Sequence, residues 1–237
     1  MRTAAIMQPY FFPYIGYFHL VAAADVFILF DDVQYIDRGW SNRNRILVQG
    51  KAHTITLPVQ SAPREATYSG REYCLDQIER SILKPIRFNY AKAPQFASVM
   101  PLIEDILSYP SSNVARFNGN LLERISRFLR LTTDFRFSSE IEVSTDLKAQ
   151  DRIIAVTSAV GADRYINAAG GQALYSAAAF DAVGIELKFI QSELVPYPQF
   201  SGDPIVGLSI IDVLMFNSVD AILEKLWVWN LALPVAS

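Results

Sequence analysis

Two adjacent carboxylates, Asp31 and Asp32, close an apolar run at 26–30, and Gln34, Tyr35, Arg38, Trp40, Asn42, Arg43, Asn44 and Arg45 follow before position 46. Neighbouring carboxylates repel, and desolvating one raises its proton affinity towards that of a general base. Side chains alternate along an extended chain, so one of the pair faces a given pocket. A strand-ending turn, or an ion pair with Arg43 or Arg45, accounts for the same residues without catalysis. Arg43 and Arg45 point the same way along an extended chain, and guanidiniums suit bidentate capture of phosphate or carboxylate. Trp40 would supply a stacking wall, and Asn42 and Asn44 orienting hydrogen bonds.

A second group precedes these, in A-I-M-Q-P-Y-F-F-P-Y-I-G-Y-F-H-L at 5–20. Gln8, Tyr10, Tyr14 and Tyr17 offer neutral donors, acceptors and ring faces, a combination that suits sugars; the same rings could instead pack the first layer of the fold. His19 is a third candidate acid or base beside the two aspartates, with a structural role as its alternative. Farther on, Asn167, Gly170, Gly171 and Tyr175 follow a strand pattern; glycines there permit positive φ and close approach to a ligand, or simply a tight turn. Ser209 and Asp212 have the spacing of an N-cap and its first-turn acid, and Ser209 could also touch phosphate. The π-rich loop Pro196-Tyr197-Pro198-Gln199-Phe200 has the character of a pocket lip.

The elements that would position these groups read as α/β. Residues 3–8 and 26–30 are continuously apolar, as strands buried on both faces of a parallel sheet are. Residues 14–24 between them form the crossover helix, with Pro13 just ahead of its first turn. Pro9 and Pro13 break the chain between strand and helix. Residues 46–48 and 54–58 form a hairpin through Gln49-Gly50-Lys51, and 61–73 a loop. Helical patterns cover 76–83, 86–91, 94–107 and 113–131, with Pro85 ending the first. Helices at 151–160, 174–183 and 210–226 and strands at 163–167 and 185–190 restore the α/β rhythm. The expectation is a Rossmann-like, mainly parallel sheet with a β-hairpin. Its core spans 1–75 and 135–237, and 76–134 is a helical insertion or subdomain. Open sheets of this kind bind ligands beyond the carboxyl ends of their strands, here at Gln8 and at Asp31-Asp32.

Composition narrows the chemistry. Of 237 residues, 51% are hydrophobic and 19% charged, which is the balance of a globular chain. A formal net charge of −3 without a long basic cluster disfavours extended nucleic-acid binding, although a charged tRNA stays open as a donor. One cysteine, Cys74, and two distant histidines offer neither a disulfide framework nor a zinc site, so no metal is expected. The first apolar run is too short for a signal peptide and none is long enough for a membrane span, so a soluble, cytoplasmic protein is expected. No G-x-S-x-G, P-loop or G-x-G-x-x-G pattern is present.

Several of these stretches together resemble one family. M-Q-P-Y-F-F-P-Y-I-G-Y-F (7–18), A-D-V-F-I-L-F-D-D-V-Q-Y (24–35), W-S-N-R-N-R-I (40–46), G-A-D-R-Y-I-N-x-x-G-G-x-x-L-Y (161–175) and L-S-I-I-D (208–212) are similar to the WbqC-like proteins, and the resemblance spans nearly the whole chain. Pro85 departs from the more regular basic helix of that family. The resemblance implies a transferase of bacterial surface polysaccharide (O-antigen) assembly, with glycine as one proposed transferred group. P-Y-I-G-Y (13–17) also lies where nucleotidyltransferases keep H-x-G-H, with tyrosines in place of both histidines and their charge-stabilising donors.

Together with the sugar-suited residues, the resemblance implies transfer of a small acyl or aminoacyl group, such as glycyl, onto a sugar or nucleotide-sugar. A nucleotide or an activated acyl or aminoacyl donor would be the cofactor. The alternatives are a nucleotide-dependent transferase or ligase with altered H-x-G-H chemistry, and a non-enzymatic binding or assembly protein.

Overall fold

The structure is a computed structural model and describes residues 1–144, 146–200 and 202–234. Strands β1 (Thr3–Met7) and β2 (Val26–Leu29) flank helix α1 (Ile15–Ala22). A hairpin of β3 (Arg43–Val48) and β4 (Lys51–Thr56) follows, then α2 (Lys84–Tyr90), α3 (Phe96–Leu107) and α4 (Val114–Phe128). The chain continues through β5 (Asp134–Phe137), α5 (Ala149–Ala159), β6 (Arg164–Ala168), α6 (Ala177–Asp181), β7 (Glu186–Ser192), α7 (Ile210–Phe216) and β8 (Trp229–Ala232).

The main sheet has the order β5-β2-β1-β6-β7-β8, with β8 alone antiparallel, against β7. Ala4 pairs with Val26 on one side and Tyr165 on the other, so β1 is the central strand from which the chain winds outward in both directions. This is the Rossmann-like arrangement expected from the apolar runs. Its topological switch point lies between β1 and β6, where such sheets open a crevice beyond the strand ends.

Both faces of the central strands are covered, which is why they carry no polar alternation. Ala5, Phe27 and Leu29 face a large apolar core shared with α1, α2, α3, α4, α7 and the hairpin. Ala4, Ile6, Val26 and Ile28 face the smaller core under α5 and α6. Gly119 shows how closely α4 lies on the first face: a Cβ there would stand 2.6 Å from Phe137 Cζ and 3.0 Å from Leu29 Cδ1. Gly119→Ala is therefore expected to destabilise by about 1–3 kcal/mol through overpacking, against the roughly 1 kcal/mol that alanine gains in a helix. A raised urea midpoint for that variant, which helix propensity alone would give, would refute the close approach.

Several elements depart from the sequence expectations. The stretch at 76–83 is a 3-10 turn and a π-turn running straight into α2, and Pro85 sits in the first turn of α2, where its missing N–H is harmless, instead of ending a helix. α6 is confined to five residues, because a 3-10 turn occupies Ala169–Leu174. The last helix breaks after Phe216, where Asn217 turns extended and Ser218 caps a separate turn at Ala221 N–H. β5 and β8 are short sheet strands that no apolar run announces. In the hairpin, Gln49 and Gly50 both have positive φ, +49° and +74°, the signature of a two-residue type I′ turn. Among the described residues, no helix is long and apolar enough to cross a membrane.

Candidate functional site

A crevice of about 350 Å³ opens at the switch point. Gln8, beyond β1, Asn167, near the end of β6, and Gly170, Gly171 and Tyr175, after it, line it together with Phe30 and the first turn of α5 at Gln150. Five residues singled out from sequence thus meet in one place, across more than half the chain. The lining holds no Asp, Glu, Lys, Arg or His. Its polar groups are amides and a phenol over an apolar floor of Ile6, Phe30, Ile153 and Leu174.

The polar wall is a built network. Asn167 Oδ1 accepts from Ala168 N–H at 2.7 Å, which fixes the amide flip, and Nδ2 donates to the hydroxyls of Tyr165 at 3.0 Å and Tyr175 at 2.9 Å. The two hydroxyls are 3.3 Å apart. One can donate to the other, which leaves one hydroxyl proton free for a ligand; Tyr165 is fully buried and Tyr175 borders the crevice, so the free proton belongs on Tyr175. Burial, and then the Tyr175 hydroxyl, hold the Tyr165 phenol well above its ordinary range, so it acts as a neutral group. Neither glycine uses positive φ, contrary to the reason suggested for the pair. A Cβ on Gly170 would meet open space, while one on Gly171 would come within 3.3 Å of Asn167 Nδ2.

The aspartates sit beside this crevice and are both engaged. Asp31 is buried; Oδ1 accepts from Ser139 N–H at 2.9 Å and Oδ2 from the Ser139 hydroxyl at 2.7 Å. Ser138 Oγ lies 2.6 Å from Asp32 Oδ1 and 3.1 Å from Asp31 Oδ1, so its single proton goes to Asp32. The other oxygen of Asp32 pairs with Arg152 Nη2, whose Nη1 also donates to the carbonyls of Val143 and Ser144. The ion-pair partner is therefore Arg152 on α5, not Arg43 or Arg45. Asp31 welds β2 to the turn after β5, and Asp32 ties that edge to α5.

The remaining candidates hold the first βα turn in shape. Phe12 lies in the left-handed region at φ +42°, a strained conformation for a bulky residue. Its carbonyl accepts from Asn44 Nδ2 at 2.9 Å and from the Ser209 hydroxyl at 2.7 Å, and Asn44 also reaches Phe11 O at 3.2 Å. Ser209 caps α7 and is fully buried, so its hydroxyl does not face a ligand. Tyr17 is buried and donates to Gln8 O at 2.8 Å; Tyr10 stacks obliquely on it, and burial pushes the Tyr10 hydroxyl up to about 12. The Tyr14 ring folds over Gly16, where a Cβ would lie 2.4 Å from it. His19 is fully buried with its ring edge-on to Trp227, on the α1 side of the sheet, away from the crevice.

The hairpin residues form a separate cluster. Asn42 donates to Leu57 O at 3.1 Å. Arg43 donates to Gly39 O and Arg38 O, closing the loop before it. Arg45 lies over Trp40 at 5.7 Å and reaches Gly207 O at 3.3 Å. Arg43 and Arg45 do share a strand face, opposite Thr56 and Thr54, but neither lines the crevice.

Asn118 and Arg152 are buried polar centres that the sequence did not mark, and Asp212, read there only as the first-turn acid of α7, is the hub of a network. Asn118 on α4 donates to Pro9 O at 2.9 Å and Ser41 O at 2.7 Å while accepting from Tyr73 O–H at 3.0 Å. Asp212, fully buried, accepts from Tyr197 at 2.6 Å, Gln199 at 2.7 Å and Tyr90 at 2.6 Å. The links that matter most run from Asn118 to Pro9, from Arg152 to Asp32 and from Asp212 to Tyr90, 109, 120 and 122 positions apart, which local spacing does not reveal.

Comparison with known proteins agrees with the motifs. The model of the WbqC-like protein family matches residues 8–224. The uncharacterized protein Rv1507c of Mycobacterium tuberculosis (strain ATCC 25618 / H37Rv) is 30% identical over 221 residues, covering 92% of this chain and 94% of its own. No solved structure matches.

Proposed function

For this chain, which belongs to the WbqC-like protein family, we propose transfer of a small acyl or aminoacyl group, glycyl being one case, onto a sugar or nucleotide-sugar seated in the crevice between β1 and β6. The observation that carries this reading is the uncharged lining. Amides and a phenol exchange hydrogen bonds with sugar hydroxyls at no electrostatic cost, while Phe30, Ile6 and Leu174 meet the C–H faces. A volume of about 350 Å³ is of the size of small-molecule sites, and its place at the switch point is where open α/β sheets bind them.

Roles follow from position. Gln8, Asn167, Tyr175 and the backbone at Gly170-Gly171 orient the acceptor. Asp31, with its oxygens already satisfied, positions the turn after β5. Asp32, one-fifth exposed and held by Ser138 and Arg152, is the more accessible of the two carboxylates; in this reading it takes the proton from the attacking hydroxyl or amine as the new acyl bond forms and the bond from the acyl carbon to the donor's leaving group breaks. Arg152 holds it in place. The H-x-G-H-like route is less well supported, because the Tyr17 hydroxyl is spent on Gln8 O.

A thermal-shift titration with nucleotide-sugars, free nucleotides and glycyl donors tests this. A ligand at 100 times its Kd adds about 2.7 kcal/mol, which is about 5–10 °C for a chain of this size. Nucleotide-sugars are expected to give that shift, and Gly170→Trp, placed where a side chain meets open space, is expected to abolish it with little change in the unliganded Tm. Stabilisation by free nucleotide alone would instead favour a nucleotide-dependent ligase. A shift that survives Gly170→Trp would refute the crevice as the site.

A further inference from the structure

Arg71 is only 5% exposed, and its charge is poorly met. Its guanidinium stacks 5.0 Å from the Tyr35 ring centroid. Nη1 makes one long hydrogen bond, 3.4 Å, to Ala62 O, and Nε is buried without a partner. The carboxylate paired with it is that of Asp37, 3.8 Å from Nη2, beyond hydrogen-bond range and itself 66% exposed. Glu72, next in sequence, faces Ser112 and Asn113 instead. Arg71 is nevertheless held in place: its N–H bonds to Tyr68 O at 3.3 Å and its carbonyl accepts from Val114 at the start of α4.

A desolvated guanidinium with most of its five donors idle is unfavourable unless an anion completes it. The surroundings are built for one. Burial, Tyr68 and Asp37 raise the Tyr35 hydroxyl, and the Arg71 guanidinium stacked on its ring acts against them. The segment carrying Tyr35 leaves the carboxyl edge of β2 and is pinned by Tyr35 N–H to Ala66 O and by Tyr68 N–H to Val33 O.

We propose that Arg71, with Tyr35, forms an oxyanion subsite for a phosphate or carboxylate group, and that Asp37 is the resident carboxylate it displaces. The planar fork of Arg71 takes the oxyanion bidentately, and the Tyr35 hydroxyl donates a third bond. The exposed Asp37 swings out to solvent at small cost. This inference does not depend on the crevice.

Isothermal titration of the full chain with inorganic phosphate and with acetate, at ionic strength matched with chloride, tests it. One of the two anions is expected to bind; phosphate alone assigns a phosphoryl ligand, acetate alone a carboxyl ligand. Asp37→Asn, which removes the competing exposed carboxylate, is expected to tighten binding by up to about fivefold. Arg71→Gln is expected to weaken it at least about tenfold. Gly170→Trp is expected to leave it unchanged, which separates failure here from failure at the crevice. If Arg71→Gln does not fold, Asp37→Asn decides alone: tighter binding supports the subsite, and equal or weaker binding overturns it. Absence of binding by both anions to the wild type and to Asp37→Asn overturns it as well.

Discussion

Arg152→Ala is expected to lose about 3–5 kcal/mol of folding stability, the range found when one partner of a buried ion pair is removed. The Arg152 side chain is 7% exposed and that of Asp32 20%, so water does not replace the lost partner freely. The carbonyls of Val143 and Ser144 lose their donor at the same time. Arg152→Met combined with Asp32→Asn keeps volume and removes the orphaned charge, so the double variant is expected to recover much of the loss. Urea unfolding of the three proteins measures this. A single-variant cost below about 1 kcal/mol would mean that the pair behaves as an exposed one. The variant also separates stability from function: with Arg152 gone, Asp32 keeps only the Ser138 hydroxyl, so residual folded protein is expected to bind ligand in the crevice but transfer poorly.

Asp212→Ala is expected to be comparably damaging, about 3 kcal/mol or more, because hydrogen bonds to a charged acceptor are worth about 1.5–3 kcal/mol and three donors are left in the interior. Tyr90 links the hairpin through Leu47 N–H at 2.8 Å, while Tyr197 and Gln199 bring the loop after β7 to the same carboxylate. Loss of Asp212 should therefore loosen α2, the hairpin and that loop together, which hydrogen exchange would detect as a joint loss of protection. The pH dependence has a definite sign. Burial raises the Asp212 carboxyl above its ordinary value, with the hydroxyls of Tyr197 and Tyr90 and the Gln199 amide pulling it down. A folded pKa above the unfolded one means that the native state holds the proton more tightly. This contribution is complete below the ordinary carboxylate range and is lost as pH rises through the folded value. The advantage of wild type over Asp212→Asn is thus expected to shrink from acid to neutral pH; an advantage that grows over that range would contradict the shift.

Much of the fold was legible because its signals are local. Continuous apolar runs at 3–8 and 26–30 mark strands with two covered faces, and the spacing between them leaves room only for a short crossover helix. The hairpin follows from Gln49-Gly50, which accept the left-handed turn. β5 and β8 were not legible, since D-F-R-F and W-N-L-A become strands only when a neighbouring edge offers its unpaired amides. The breaks at Ala169–Leu174 and after Phe216 were hidden for a related reason: the surrounding apolar periodicity is helical, and tertiary packing overrides it.

At the site the division is sharper. The sequence by itself determined which residues crowd the strand ends: Gln8, Asn167, Gly170, Gly171 and Tyr175, which do line one crevice, and the Asp31-Asp32 pair beside it. It also marked the first βα turn as the organising feature. Only the tertiary structure decided what each group is free to do. Asn44 and Ser209 have the chemistry of ligand contacts, yet both are consumed by the strained carbonyl of Phe12. Arg43 and Arg45 have the spacing of an anion clamp, yet loop carbonyls and Trp40 hold them, while Arg71, unremarkable in the sequence, is left buried with idle donors. The physical reason is that residue type sets a group's bonding capacity, whereas whether the capacity is already satisfied depends on partners brought from distant parts of the chain.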